Sequence, residues 1–326
     1  MTTHRAPLDS VNETIGETPL VRVHAAPDAV PVYAKLESFN PGASVKDRIG
    51  QYMLEAMLDR GDLEPGGTVI EPTAGNTGIG IALAATQLDV EAVFVVPERF
   101  SLEKQQLMRS LGAAVVNTPT DDGMGGAIDR ADELAAEHEN AVVPQQFSNP
   151  LNAEAHYATT APEIHDALDG QVGAVVAGCG TAGTLMGLAR YAREQHPETV
   201  VAAVEPQGSR YAEVMGSEVE EGEYKTEGIG THDPSKNELF DPELVDQVIR
   251  VGDRTAQDEL KRLAREEGHL VAASAGMASV AARDVAERIS NGEIDAPHDT
   301  VVTVFPDSSE RYLSKGIYDE FENWEG

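Results

Sequence analysis

The sequence predicts an α/β protein with mostly parallel sheets flanked by helices, divided between two domains. Short apolar, strand-like runs alternate with amphipathic helical patterns along the 326 residues. This alternation is typical of parallel sheets that are covered on both faces. The strand-like runs are 32–36, 68–70, 92–96, 113–116, 141–143, 174–177, 200–204, 248–251 and 301–305. A chain of this length can bury two moderate hydrophobic cores.

Residues 44–48 contain a lysine at the predicted start of a helix. Ser44 followed three residues later by Asp47 resembles a capping box. Apolar residues then recur at helical spacing up to residue 61: Ile49, Met53, Leu54, Met57 and Leu58. Lys46 therefore lies in a first helical turn, where the helix dipole disfavours an ammonium and favours a neutral amine that can form an imine. A solvated lysine is the alternative interpretation.

A first glycine-rich loop, residues 71–78, joins a buried strand to an apolar helix. Backbone N–H groups in such a turn can face an anion. The loop contains two glycines that allow close approach of the backbone, Gly75 and Gly78. Thr73, Asn76 and Thr77 add side-chain donors that could bind a carboxylate or a phenolic oxygen. A tight strand-to-helix turn without a ligand is the alternative.

A second glycine-rich loop, residues 178–184, repeats this strand, loop and helix arrangement. Its residues with small or hydroxyl side chains would suit a phosphate: Gly180, Thr181, Gly183 and Thr184. The loop also matches the dinucleotide pattern Gly-x-Gly-x-x-Gly, and Glu205 follows at about the spacing of a ribose-binding acid. A nicotinamide-dependent oxidoreductase is therefore a competing hypothesis, although it leaves Lys46 and the first loop unexplained.

Two anion-binding loops and a reactive lysine together indicate a phosphate-bearing aldehyde coenzyme, pyridoxal 5′-phosphate. These segments resemble the cysteine synthase and cystathionine β-synthase family of fold-type II pyridoxal phosphate enzymes. The likeness runs along nearly the whole chain, through residues 17–20, 40–48, 71–78, 145–150, 180–184, 227–230, 274–276 and 306–313. Several motifs in family order are more specific than any one of them.

The resemblance implies a role for each residue of these motifs. Lys46 would be the Schiff-base lysine and the base that removes the substrate Cα proton, and Asn76 would hydrogen-bond the ring oxygen of the cofactor. The phosphate would be held by Gly180, Thr181, Gly183 and Thr184, and the amino-acid carboxylate by Thr73, Gly75, Thr77 and Gln146. Ser274 would face the pyridine nitrogen. A hydroxyl there gives a moderate electron sink, which suits β-elimination and β-replacement rather than transamination.

The resemblance also implies the architecture and the reaction. It implies a tryptophan synthase β-like fold with a smaller domain, 44–150, that carries the carboxylate loop, and a larger domain, 1–43 plus 151–326, that carries the phosphate loop. The expected product is L-cysteine, made from O-acetylserine or another activated serine and sulfide, in a homodimer. Homocysteine as the nucleophile would give cystathionine instead, and a serine or threonine dehydratase is a weaker alternative.

Two residues depart from the family pattern. Ala74 stands where serine is more frequent, so one hydrogen bond to the substrate would be missing or supplied by the backbone. Ala182 stands where many members have glycine, so its backbone must be compatible with a β-carbon. The Ala74 form of the loop fits cystathionine-forming members as well as sulfhydrylases, which leaves the thiol substrate open.

The charge of the chain limits its partners. The formal net charge is −32, from 56 acidic and 24 basic residues spread along the predicted helices. Nucleic acid and anionic membranes are therefore not expected as partners. A dispersed acidic excess of this size favours a protein that works at high salt, where screening relieves self-repulsion. An ordinary acidic enzyme is the alternative.

Cysteine and histidine patterns indicate neither disulfides nor metal. Cys179 is the only cysteine, and a small residue filling a strand end is a better interpretation than a catalytic thiol. The nine histidines show no His-x-x-x-His spacing, so no metal site is expected. The sequence has no apolar signal region at its start and no apolar run of membrane-spanning length. A soluble cytoplasmic protein is the expectation.

Overall fold

A computed structural model describes residues 7–220 and 222–325. In chain order the strands are β1 (Leu20–Val23), β2 (Val32–Leu36), β3 (Gly67–Pro72), β4 (Val90–Pro97), β5 (Ala114–Thr118), β6 (Ala141–Val142), β7 (Ala174–Gly178), β8 (Val200–Pro206), β9 (Gln247–Val251) and β10 (Val301–Phe305). The α-helices are α1 (Lys46–Arg60), α2 (Asn76–Ala85), α3 (Leu102–Ser110), α4 (Gly123–Glu137), α5 (Leu151–Ala155), α6 (Ala161–Ala167), α7 (Gly183–Gln195), α8 (Tyr211–Val214), α9 (Asp253–Arg262) and α10 (Ala273–Ser290).

The chain forms two units. The first combines the described residues up to Glu17 with Phe39–Pro144, and the second combines Thr18–Ser38 with the chain from Gln145 onward. The functional domains expected at 44–150 and at 1–43 plus 151–326 stay a prediction, because they are defined by the loops that they carry.

The first unit is built on a four-stranded sheet in the order β5-β4-β3-β6, in which every pairing is parallel. The central residues of its strands β3 and β4 are mostly apolar, and many are valine or isoleucine, as a sheet covered on both faces requires. On one side, α4 packs its small residues Ala127 and Ala131 against Ile70 and Val95. Helices α1 and α2 also pack against each other in this unit.

The second unit contains a six-stranded sheet in the order β1-β2-β10-β7-β8-β9. Its edge strand β1 is antiparallel to β2, and the other pairings are parallel. Helix α10 contributes many small residues to the main core of this unit, where it packs against the buried strands. The predicted α/β class with mostly parallel sheets is therefore confirmed, and each predicted strand-like run coincides with a strand.

Within the described residues, no helix is both long and apolar enough to cross a membrane.

Candidate functional site

In the first unit, Lys46 is the first residue of α1. The Ser44 hydroxyl accepts a hydrogen bond from the Lys46 backbone N–H, with an N···O distance of 3.2 Å. The N-cap residue of α1 is Val45, so Ser44 lies one position before the place that a capping box requires. The buried Asp47 carboxylate instead accepts the Gly42 backbone N–H at 2.5 Å. The local sequence thus fixes the loop before α1 as well as the helix start itself.

The start of α1 is held tightly against α2. A β-carbon placed on Gly80 would lie 2.3 Å from the Lys46 carbonyl oxygen. Gly80 lies about one helical turn after Asn76, the first residue of α2. The first turns of the two helices therefore lie side by side, which brings the backbone of Lys46 close to the predicted carboxylate loop.

The carboxylate loop precedes α2. Thr73 and Thr77 are buried, whereas Gly75 and Asn76 are partly exposed. The Thr73 hydroxyl accepts the Gly75 backbone N–H at 3.2 Å, which closes a short turn. A β-carbon on Gly75 would meet only the Thr73 hydroxyl, at 3.9 Å, so the space beside this glycine is open. Ala74 is also partly exposed and brings no hydroxyl to this space.

In the second unit, the other glycine-rich loop joins β7 to α7. Ala182 is the N-cap residue of α7 and has a left-handed backbone, with φ of 64° and ψ of −14°. Among the described residues, the backbone N–H groups of Thr181, Ala182 and Thr184 donate to no carbonyl oxygen. The helix dipole and these free donors favour an anion at this position.

The glycines of this loop are required by close packing. A β-carbon on Gly180 would lie 2.2 Å from the Gly228 carbonyl oxygen, and one on Gly183 would lie 2.0 Å from the Asn152 side-chain oxygen. The Gly230 backbone N–H donates to the Cys179 carbonyl at 2.7 Å. The Glu-Gly-Ile-Gly motif at 227–230 therefore packs against the loop and hydrogen-bonds to it.

Asn152, which was not identified from the sequence, holds the Thr181 side chain in place. The Asn152 amide nitrogen donates to the Thr181 hydroxyl at 3.0 Å and to the Gln146 carbonyl oxygen at 2.7 Å. This contact brings Gln146 and the loop together.

The buried His156 ring lies between two threonine hydroxyls. It is 3.1 Å from that of Thr184 and 2.9 Å from that of Thr160. The residues 156–160 form a π-helical turn, which no periodicity of the sequence indicates.

The carbonyl oxygen of Gly180 has two side-chain donors of its own. The Tyr211 hydroxyl donates to it at 2.5 Å and the Asn237 amide nitrogen at 2.8 Å. Neither residue was predicted, since Tyr211 begins a helix of only four residues and neither residue belongs to a motif identified in the sequence.

Ser274 lies in the first turn of α10 and is buried. Its hydroxyl has no hydrogen-bond partner among residues 7–220 and 222–325. Ser274 is thus available as a donor or acceptor for a group that reaches the start of this helix.

Glu205 does not fit the role that the dinucleotide hypothesis gives it. The carboxylate is fully buried and accepts the Ser209 hydroxyl at 2.6 Å and the backbone N–H groups of Tyr211 and Ala212 at 2.8 and 3.1 Å. Both oxygens are used to cap α8, so none is left for ribose hydroxyls. The spacing between Gly183 and Glu205 therefore does not indicate a ribose-binding acid.

Cys179 is fully buried, and burial raises the pKa of its thiol well above the ordinary value. A protonated, enclosed thiol is a poor nucleophile. Its interpretation as a small residue filling a strand end therefore agrees with its surroundings. Among the described residues, no cluster of three or more His, Cys, Asp or Glu side chains could hold a metal ion.

Comparison with known proteins shows which family the chain resembles. Residues 11–307 match the family described as pyridoxal-phosphate dependent enzyme. The chain is 44% identical over 314 residues to an O-acetylserine dependent cystathionine β-synthase of Bacillus subtilis, covering 96% of this chain and 98% of that protein. It is 42% identical over 320 residues to a cysteine synthase of Helicobacter pylori, covering 95% of this chain and 99% of that protein.

Solved structures show the same similarity. The crystal structure of an O-acetylserine dependent cystathionine β-synthase from Helicobacter pylori matches with a TM-score of 0.85 at 42% identity, covering 96% of this chain and 100% of that one. The cysteine synthase of Entamoeba histolytica matches with a TM-score of 0.89 at 33% identity, covering 98% and 93%.

Proposed function

Because the chain belongs to the family of pyridoxal-phosphate dependent enzymes, we propose that it forms L-cysteine by β-replacement, from O-acetylserine or another activated serine and sulfide. The observation that carries this proposal is the end-to-end match to relatives named cysteine synthase, with a lysine at the start of α1. The cofactor is pyridoxal 5′-phosphate.

The donors of this chain suit that cofactor. The loop before α7 offers free backbone N–H groups and the hydroxyls of Thr181 and Thr184, which is a neutral donor set for a phosphate. Ser274 offers a buried hydroxyl without a protein partner for the pyridine nitrogen. Lys46 offers a primary amine for covalent attachment to the aldehyde. We assign Gly180, Thr181, Gly183, Thr184, Ser274, Asn76 and Lys46 to cofactor binding.

The bound cofactor supplies an electron sink that acidifies the substrate Cα–H and lets the β-substituent leave and be replaced. The residues of the chain supply position and proton transfer. We assign Thr73, Gly75, Thr77 and Gln146 to the substrate carboxylate, because the first loop provides hydroxyls and an open space beside Gly75. Lys46 takes the Cα proton once its amine is free. The Ser274 hydroxyl, unlike a carboxylate, leaves the pyridine nitrogen without a full charge, which favours β-replacement.

A second candidate is the use of homocysteine as the nucleophile, which gives cystathionine. The relative from Bacillus subtilis with this name, at 44% identity, favours it. The lack of a hydroxyl at Ala74 also leaves the carboxylate loop compatible with either nucleophile.

One experiment tests both candidates. The purified protein is mixed with O-acetylserine and either sulfide or homocysteine, and the products are identified by mass spectrometry, with Lys46→Ala as the control. Cysteine as the main product supports the first candidate and cystathionine supports the second. Pyruvate as the main product would mean a dehydratase. A colourless protein that does not take up pyridoxal phosphate would overturn the assignment.

The proposal also includes the oligomeric state, the cellular compartment and the adaptation to salt. The family resemblance supports a homodimer that works in the cytoplasm. The formal net charge of −32 supports a protein adapted to high salt. Light scattering should give a mass of twice the 34.7 kDa of one chain, and cell fractionation should recover the protein with cytoplasmic markers. A monomeric mass would contradict the first of these properties.

A further inference from the structure

The second glycine-rich loop has an unusual support at Gly180. Its carbonyl oxygen accepts both the Tyr211 hydroxyl, at 2.5 Å, and the Asn237 amide nitrogen, at 2.8 Å. The Asn237 amide also donates to the Tyr211 hydroxyl. Tyr211 is fully buried and Asn237 is 6% exposed. Two buried polar side chains therefore donate to the same backbone oxygen.

The loop needs such a support because of its glycines. Gly180 cannot be replaced by a residue with a β-carbon, since the Gly228 carbonyl lies 2.2 Å from the position of that carbon. A glycine leaves the neighbouring peptide planes free to rotate. The close packing against 228–230 thus requires a residue that does not by itself fix the direction of the N–H groups.

The two side chains fix that direction through the geometry of the peptide bond. No cis peptide bond is present among the described residues, and in a trans peptide the C=O and N–H bonds point in opposite directions. Because the Gly180 carbonyl points to Tyr211 and Asn237, the Thr181 N–H points away from them. That N–H is one of the free donors at the start of α7.

The support is itself anchored and stays uncharged. The buried Glu205 carboxylate accepts the Tyr211 backbone N–H at 2.8 Å, which holds the start of α8. Burial raises the pKa of the Tyr211 hydroxyl well above its ordinary value, so this group remains a neutral donor over the working range of pH.

We propose that Tyr211 and Asn237 act together as positioning residues that aim the Thr181 N–H at the cofactor phosphate. They touch neither substrate nor cofactor; they act through the Gly180 peptide. The inference rests on the proposed function, in which this loop holds the phosphate of pyridoxal 5′-phosphate.

The test compares binding of pyridoxal 5′-phosphate and of pyridoxal, which lacks the phosphate, to full-length protein stripped of cofactor. The variants are Tyr211→Phe and Asn237→Leu, and the control is Tyr318→Phe, whose hydroxyl has no partner among the described residues. In each of the first two variants we expect affinity for pyridoxal 5′-phosphate to fall roughly tenfold, as expected for one hydrogen bond to a charged group. Affinity for pyridoxal should change less than about twofold, and the ³¹P resonance of the bound phosphate should shift.

The effects should also be coupled. Because both side chains act on one carbonyl oxygen, the double variant should lose less than the product of the two single losses. Tyr318→Phe should keep the wild-type ratio of the two affinities and the wild-type ³¹P resonance.

The outcomes separate this inference from the proposed function. If the wild-type protein binds the two aldehydes equally well, the assignment of the loop to the phosphate is wrong. If the wild type prefers the phosphorylated form and both variants keep that preference, the positioning role is overturned. An equal loss of affinity for both aldehydes, with a lower melting temperature, would mean a merely structural role and would also overturn it.

Discussion

Gly50 of α1 and Gly80 of α2 face each other without intervening side chains. A β-carbon on Gly50 would lie 2.4 Å from the carbonyl carbon of Gly80, and one on Gly80 would lie 2.3 Å from the carbonyl oxygen of Lys46. The crossing of two helices at their glycines thus sets the position of the lysine backbone. The position of the proposed catalytic amine of Lys46 therefore depends on two glycines.

We predict that Gly50→Ala and Gly80→Ala each destabilise the first unit. The added methyl group meets backbone atoms, which cannot move without separating the helices, so the free energy of unfolding should fall by about 1–3 kcal/mol. Urea denaturation measures this change. Activity should fall further than stability explains for Gly80→Ala, because its contact is the Lys46 carbonyl.

The matched control for these variants is Gly125→Ala. Gly125 lies inside α4, and a β-carbon there would have no atom within 4 Å. The substitution should raise the free energy of unfolding by about 0.5–1 kcal/mol, because alanine is the better helix former. Equal effects at Gly50, Gly80 and Gly125 would contradict the account of the helix crossing.

We predict that Ala182 tolerates glycine and rejects valine. Its φ of 64° is a left-handed conformation that alanine adopts with strain and that a β-branched residue rarely adopts. For Ala182→Gly, the relief of strain should offset the greater freedom of the unfolded chain to within about 1 kcal/mol. Ala182→Val should lower the free energy of unfolding by about 2–4 kcal/mol. Thermal denaturation of the two variants checks this, and a valine variant as stable as wild type would contradict it.

Much of the fold was predictable because short segments of the sequence indicate their own secondary structure. Apolar runs bounded by turn residues identified the parallel strands, a capping-like pattern indicated the start of α1, and the two glycine-rich loops indicated the strand-to-helix turns before α2 and α7. The edge strand β1 was missed, since its four residues include the exposed Arg22 and it gains its pairing only from β2.

The candidate site was predictable only in its loops. Motif residues such as Asn76 and Thr181 stand out by their type and spacing, although their roles stay proposals. Tyr211 and Asn237 could not be identified in this way. They lie 31 and 57 residues beyond Gly180, one at the start of the short helix α8 and the other outside the helices and strands, and only the tertiary structure brings them to its carbonyl.

We predict opposite effects for two tyrosines near the end of the described chain. The Tyr312 hydroxyl donates to the buried Asp307 carboxylate at 2.6 Å, whereas the Tyr318 hydroxyl is buried and has no partner among the described residues. Tyr312→Phe should lower the free energy of unfolding by about 1–3 kcal/mol, because a buried carboxylate loses a donor. Tyr318→Phe should be neutral or stabilising by up to about 1 kcal/mol. Urea denaturation of both variants tests the pair; a larger loss at Tyr318 would contradict it.

We predict that salt stabilises this protein strongly. At a formal net charge of −32, repulsion between surface carboxylates acts over about 30 Å in dilute buffer of about 0.01 M ionic strength and over about 3 Å at 1 M salt. The urea midpoint should therefore rise steadily with KCl, and activity with it. Sucrose, which strengthens burial without screening charge, serves as the control. Full stability in dilute buffer, with no gain from KCl, would contradict the halophilic proposal.

The buried carboxylate of Glu259 should make stability depend on pH. Burial alone would raise its pKa, but hydrogen bonds from Arg262 and Ser279 and the charges of Arg262 and Arg283 outweigh burial and leave the pKa below the ordinary value. The folded-state pKa therefore lies below the unfolded value of about 4.3. The carboxylate stabilises the fold above that pH, and this stabilisation is lost as the pH falls through the folded-state pKa.

The test compares Glu259→Gln with Glu266→Gln. The Glu259 side chain is 6% exposed and that of Glu266 is 62% exposed, yet both pair with Arg262. At pH 7 the first variant should be less stable than wild type by about 1–3 kcal/mol, because two arginines lose a charged partner. The difference should shrink as the pH falls through the depressed folded-state pKa of Glu259, because the wild-type carboxylate then also becomes neutral. Glu266→Gln should differ little from wild type at either pH. Urea midpoints at constant high salt measure these differences, and a difference for Glu259→Gln that stays the same at both pH values would show that the charge of the carboxylate is not what stabilises the fold.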